Sequence, residues 1–115
     1  MINTSLLQGT SMYRQRSVLR KTDGTSILPF LAELDLNGGK MFQFRSAQPG
    51  FVKMTKEVSE DRMTLIVVSD WESEASYNDC ITAESADVVQ SERILGFEQF
   101  IQANGIVIER EYSTI

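Results

Sequence analysis

The sequence predicts an α+β fold of the split β-α-β type, in which a four-stranded antiparallel sheet carries its helices on one face. Three observations lead there. The 115 residues are 42% apolar and 23% charged with a net charge of −5, the profile of one globular domain with a modest core. The stretch 63–78, MTLIVVSDWESEASYN, joins a β-branched run that is apolar at both parities to the start of a capped helix. Finally, the segments follow the order strand, helix, strand, strand, helix, strand, and right-handed crossovers leave few topologies for that order.

Residues 1–10 are polar and without period, which predicts a flexible tail ahead of a single domain over 11–115. This start lacks the basic residues and apolar core of a signal peptide, and no apolar run approaches the roughly 20 residues of a membrane span, so the expected location is the cytoplasm. Met12–Lys21 is the first strand. One face carries Tyr13, Gln15, Ser17 and Leu19, the other Met12, Arg14, Arg16, Val18 and Arg20. Neither face is cleanly apolar, so the strand is expected at a sheet edge or beside a polar cavity. Lys21-Thr22-Asp23-Gly24 is turn chemistry.

From Ser26, a potential cap, Ile27, Leu28, Phe30, Leu31 and Leu34 step in threes and fours, and Pro29 is tolerated in a first helical turn. Asn37-Gly38-Gly39 interrupts the helix. Met41, Phe44 and Ala47 then space a second helical piece, preferred over a short strand because Met41, Phe42 and Phe44 do not alternate. Pro49-Gly50 closes it. Phe51–Val58 alternates as a half-exposed strand, with Val52, Met54 and Val58 opposite Lys53, Thr55 and Glu57. Ser59-Glu60-Asp61-Arg62 turns it into the central strand, making an antiparallel pair.

Ser73 caps the next helix, whose first turn has Glu74 and whose one face shows Tyr77, Cys80 and Ile81. Residues 85–104 place Val88, Val89, Ile94, Leu95, Phe97, Phe100 and Ile101 at helical period, with a break expected at Gly96 and a stop at Asn104-Gly105. Ile106–Tyr112 is the last strand. The sheet face away from the helices needs cover, which a second copy packed face to face is expected to supply, giving a homodimer with a cavity in each half; the alternative is a single domain that leaves that face wet.

Pro49-Gly50-Phe51, a strand, a polar turn, and then Val67-Val68-Ser69-Asp70-Trp71-Glu72-Ser73-Glu74-Ala75 with Tyr77 together resemble the antibiotic biosynthesis monooxygenase domain. The likeness runs over 11–112 in element order and is specific over 49–77. It implies a ferredoxin-like fold paired into a dimeric α/β barrel, and oxygenation of small aromatic or phenolic compounds without metal, flavin or haem. Trp71 and Tyr77 match the spacing of the family's Trp and Tyr and are the candidate catalytic residues. Val67 stands where the quinone-forming members have Asn. Ile81 stands where haem-degrading members have their axial His, and the chain contains no His.

Cofactor-free oxygenation needs an electron-rich substrate anion, an apolar pocket and donors that steady an oxyanion. Trp71 offers a stacking surface and an indole N–H, and Tyr77 a phenol donor, although both also suit plain packing of a strand end against a helix. Tyr13, Arg16, Val67 and Arg93 are the candidate substrate-binding residues. Tyr13 belongs to the uncharged face of the first strand, and Arg14, Arg16 and Arg93 suit an acidic substrate. Arg16 leads that group, since charge on a mixed strand can face a cavity.

Asp70, Glu72, Glu74, Glu109 and Glu111 read as a solvated face rather than a metal site. Asn37-Gly38-Gly39-Lys40 lacks the phosphate-loop pattern. Cys80 reads as a small core residue with no His to activate it. The acidic balance and the missing aromatic-basic strand motif argue against nucleic acid. The rival to the enzyme is a non-catalytic dimeric barrel that binds a small apolar ligand or serves as an interaction module.

Overall fold

Strand β1 (Tyr13–Lys21) lies inside a four-stranded antiparallel sheet with β2 (Phe51–Val58), β3 (Thr64–Trp71) and β4 (Ile106–Thr114), in the order β2-β3-β1-β4. The computed structural model describes residues 12–33 and 39–115, so the expected tail and the Asn37-Gly38 interruption lie outside the described residues. Helices α1 (Leu28–Glu33) and α2 (Gly39–Ser46) follow β1, and α3 (Glu74–Ala86) and α4 (Val88–Ala103) follow β3. This is the split β-α-β, ferredoxin-like arrangement. Among the described residues no helix is long and apolar enough to cross a membrane.

The first strand is central, not an edge: it pairs with β3 along one side and β4 along the other. Its polar residues fit the other reading, since Gln15 and Ser17 border a cavity on the helix side. The second helical piece forms as expected over Gly39–Ser46. The regular alternation expected of the second strand fails at its start. The register slips between Phe51 and Lys53, so Val52 is the extra residue of a bulge and is exposed.

The break expected at Gly96 is absent, because α4 runs unbroken through it. A glycine costs a packed helix only about 1 kcal/mol relative to Ala and keeps its backbone hydrogen bonds. The chain divides earlier, at Asp87, whose carboxylate accepts the Gln90 N–H at 3.0 Å and so caps α4 just where α3 ends. The apolar period of α4 is only partly used: Phe97, Phe100 and Ile101 pack on the sheet, whereas Val88 is 71% exposed and Val89 and Leu95 are also open.

Two apolar clusters hold the helices to the sheet. At one end Leu19, Leu65 and Ile106 meet Ile27 and Phe30, with Phe97, Phe100 and Ile101 against them. At the other Trp71, Tyr77 and Cys80 meet Tyr13, Phe44, Phe51 and Ile81. The turn into β2 is docked at this second end. Gly50 adopts φ +86° and accepts the Glu72 N–H at 2.8 Å, and any Cβ on it would run into the Ser76 side chain. Ser73 caps α3 beside it by accepting the Ser76 N–H at 3.1 Å.

The face of the sheet away from the helices carries Val18, Ile66 and Val68 among paired charges. Arg16 meets Glu111 at 3.3 Å, Arg20 meets Glu109 at 3.1 Å, and Arg14 grips the buried Asp70 with Nε at 2.7 Å and Nη2 at 2.9 Å. The hydrogen bonds from Arg14 hold the Asp70 carboxyl below its usual pKa. A depressed native pKa adds stability above the ordinary Asp range near 3.9, and that stability is lost as pH falls through the native value. Asp70→Asn should therefore cost about 1–3 kcal/mol at pH 7. Urea midpoints of variant and wild type should converge in acid, and a gap that is constant with pH would contradict this account.

Candidate functional site

Paired residues point to the same face, so the register sorts the helix side of the sheet into rows across the strands. Val58, Leu65, Leu19 and Ile108 form one apolar row. Phe51, Trp71 and Tyr13 form another, two rows beyond the next pair. Between them lie Lys56, Val67, Ser17 and Arg110, and then Met54, Ser69, Gln15 and Tyr112. The central strands contribute only Val67, Ser17, Ser69 and Gln15 to these middle rows. Small and short polar side chains cannot fill the space under the helices that Leu19 and Leu65 fill one row away. The result is a cavity of about 270 Å³ between sheet and helices.

Its walls are mainly apolar: Phe30 from α1, Phe42 from α2, and Phe97 and Ile101 from α4 stand over Met54, Val67 and Ile108. One end is polar. Arg45 of α2 reaches in and is held by the buried Glu84 of α3, with Nε donating to Oε2 at 2.6 Å and Nη2 to Oε1 at 2.9 Å. Its remaining terminal nitrogen donates to Gln15 Oε1 at 3.5 Å. Ser69 Oγ also donates to Gln15 Oε1, at 3.4 Å, and accepts the indole N–H of Trp71 at 3.2 Å. A chain of hydrogen bonds thus runs Trp71–Ser69–Gln15–Arg45–Glu84 behind the cavity.

The expected site residues divide. Val67 lines the cavity. Trp71, at 0% exposure, and Tyr77 sit behind it in the second apolar cluster, and Trp71 reaches the lining only through Ser69. Tyr13 belongs with them: its ring lies 5.5 Å from Tyr77 and 6.1 Å from Tyr112, and Trp71 lies 5.9 Å from Tyr77. Arg16 does not face the cavity. The alternation that turns Gln15 and Ser17 inward turns Arg16 outward, onto Glu111. Arg93, on α4, is not part of the lining either.

Burial and a hydrogen bond with Tyr112 raise the Tyr77 phenol well above the ordinary range, so at neutral pH it acts as a donor. Burial likewise pushes the Cys80 thiol up to about 11, against the opposing pull of Arg45, so it stays protonated. Among the described residues no group of three or more His, Cys, Asp or Glu is placed to hold a metal ion.

Arg45, Glu84, Gln15 and Ser69 are the residues that sequence reasoning passed over. The signals were present as exceptions to apolar patterns. Glu84 falls on the buried stripe that Tyr77 and Cys80 begin, and Gln15 and Ser17 share the parity of Leu19. Because Trp71 is packed on all sides and its one polar atom is satisfied, Trp71→Phe should cost about 1–3 kcal/mol in urea unfolding. The native protein should show the short-wavelength emission of a dry indole, since Trp71 is the only Trp. A long-wavelength emission maximum would place this side chain in contact with water.

No family model matches the chain, and no curated protein matches it in sequence. Solved structures do match it in fold. A dimeric ferredoxin-like protein from an uncultured marine organism aligns with TM-score 0.71 at 7% identity, covering 91% of this chain and 95% of that one. SnoaB, a cofactor-independent oxygenase from Streptomyces nogalater, aligns with TM-score 0.66 at 13% identity over 91% and 93% of the two chains. A monooxygenase from the ActVA-Orf6 gene of Streptomyces coelicolor, solved with nanaomycin D, aligns with TM-score 0.65 at 16% identity over 92% and 88%. These likenesses establish the ferredoxin-like fold.

Proposed function

We propose that the chain binds a small, flat aromatic or phenolic compound between its sheet and its helices and oxygenates it as a cofactor-independent monooxygenase. The observation that carries this reading is the cavity itself, mainly apolar along its walls and closed at one end by the Arg45 guanidinium. The two Streptomyces structures of the same fold, described as an oxygenase and a monooxygenase, support it.

The chemistry asks little of the protein beyond this shape. An ionised phenol or enol passes an electron to O2, the two radicals join at carbon, and the hydroperoxide loses water. A ring CH2 and one O2 thereby become a carbonyl and H2O, with all the electrons drawn from the substrate. The apolar walls would hold the ring and O2 together, and the fixed Arg45 guanidinium would favour the oxyanion. Trp71 and Tyr77 would act from behind, Trp71 by holding Ser69 in place.

The working form in this reading is a homodimer joined through the outer sheet face around Val18, Ile66 and Val68, as two neighbours of the same fold are described as dimeric. Light scattering on a sizing column should give twice the chain mass.

An oxygen electrode tests the activity. Purified protein with anthrone-like and naphthol-like compounds should consume O2 above the uncatalysed rate, one O2 per carbonyl formed. The burial of Trp71 and Tyr77 behind the lining favours a second reading, a ligand-binding barrel without turnover. Ligand binding measured by calorimetry with no O2 uptake would select that reading.

A further inference from the structure

We propose that Phe30 sets the length of the ligand this cavity accepts. The natural substrate is then a compound of two fused rings, with its oxygen at the Arg45 end. This assignment rests on reading the cavity as the substrate site. It goes beyond that reading by naming the size of the occupant and the residue that limits it.

A second cavity, of about 220 Å³, lies between the sheet and helices α1 and α4. Among the described residues, Phe30 is the one side chain that lines both cavities. The register places the two in series along the strands. Leu19 and its partner Ile108 border the first cavity, and the next pair on the same face, Lys21 and Ile106, borders the second. Helix α4 repeats the division, with Phe97 on the first cavity and Phe100 on the second. The Phe30 ring stands between them, 6.3 Å from Phe97 and 5.6 Å from Phe100. It is buried in one cluster with Leu19 and Ile106. Phe30 therefore fills the gap between sheet and helix where the two spaces meet.

Arg45 sets the opposite end. Its guanidinium is fixed on Glu84 and reaches Gln15, which lies two same-face rows from Leu19. Four residues of strand at about 3.4 Å each separate those rows by roughly 14 Å. The ligand shares that span with the side chains at its two ends. Volume agrees with length: about 150 Å³ of apolar cavity holds one benzene ring, so the 270 Å³ here suits two fused rings. A third ring added in line, with the oxygen kept on Arg45, would run into Phe30. Space for that ring exists between Phe100 and Ile106, and Phe30 closes it off.

Titration with 2-naphthol and with 2-anthrol tests the assignment on the whole chain, with ligand fluorescence as the readout. The two share the hydroxylated end and differ by one ring in line. The wild type should bind 2-anthrol at least about 10-fold more weakly, although the larger compound has more apolar area to bury. Phe30→Ala should reverse that order. Phe30→Leu keeps more of the core volume, and should raise 2-anthrol affinity by about 3–10-fold with 2-naphthol held within about threefold. This milder variant carries the comparison should Phe30→Ala fail to fold. Phe100→Leu enlarges the second cavity without opening the partition, so it should keep the wild-type order. Equal or tighter binding of 2-anthrol by the wild type overturns the length assignment while the cavity reading stands. Binding of neither compound overturns both. Folded Phe30 variants that still reject 2-anthrol, or a Phe100→Leu protein that admits it equally well, also overturn the assignment, because the limit would then lie elsewhere.

Discussion

Glu84→Gln should lower the unfolding free energy by about 3–5 kcal/mol, the largest effect of any conservative substitution in this chain. The reason lies in what it leaves behind. Glu84 is buried and spends both oxygens on Arg45, whose side chain is itself only 16% exposed. Burial acts to lower the Arg45 pKa, and the Glu84 carboxylate more than offsets it, so the guanidinium stays charged. Gln keeps the shape and one acceptor, but leaves a positive charge in a poorly solvated place without its counter-charge. Against a total stability of about 5–15 kcal/mol for a domain of this kind, that loss should be plain in urea midpoints. Removing both charges together is a different matter. Arg45→Met with Glu84→Met should return to within about 1–2 kcal/mol of wild type, since a buried pair often gains little over well-packed apolar groups. A loss under about 1 kcal/mol for Glu84→Gln alone would show that water reaches the pair.

Gly50→Ala should be nearly as damaging, at about 2–4 kcal/mol, through two independent costs. The residue sits at φ +86°, which L side chains rarely adopt, and its missing Cβ is the space that Ser76 occupies. Ser76 cannot simply swing away. Its N–H is the one that Ser73 accepts at the start of α3, and its hydroxyl lies 3.0 Å from Ser73 Oγ. Pairing Gly50→Ala with Ser76→Gly should recover the steric part and leave the backbone part, so the double variant should fall between the single variant and wild type. Equal stability of Gly50→Ala and wild type in thermal unfolding would mean that the turn is free to change shape.

Most of the backbone was legible in the sequence, because each element carried a local signal. Val67, Val68 and their neighbours are branched, Ser73 is a cap, and Phe51–Val58 is bounded by Pro49-Gly50 and a polar turn. Asp87 was equally local, an acid three residues before Gln90, yet the more conspicuous Gly96 drew the break to itself. The glycine merely lacks a side chain, whereas the aspartate supplies a hydrogen bond that starts a helix.

The site was harder to read because it is made between elements. Whether Arg16 or Gln15 faces the helices depends on which side of β1 they cover, and β1 alone, with a mixed pattern on both faces, does not say. The partnership of Arg45 with Glu84 joins segments 39 residues apart, and only the packing of α2 against α3 makes it visible. Trp71 was legible as the end of a buried strand, but its distance from the cavity is set by Ser69, two residues back along the same face.

The sheet order bears on how the cavity comes into being. The central strand β1 waits for a neighbour, β4, whose pairing joins Lys21 to Ile106 and Tyr13 to Thr114. Closing loops of that length carries a large entropic delay, so β4 is expected among the late arrivals in folding. Until it arrives the cavity has neither Arg110 nor Ile108, and β1 has an open edge. Ligand capture during refolding should therefore lag behind the burial of Trp71, which needs β1, β2, β3, α2 and α3 but not β4. Followed together in a stopped-flow record, the two signals would time the arrival of the last strand.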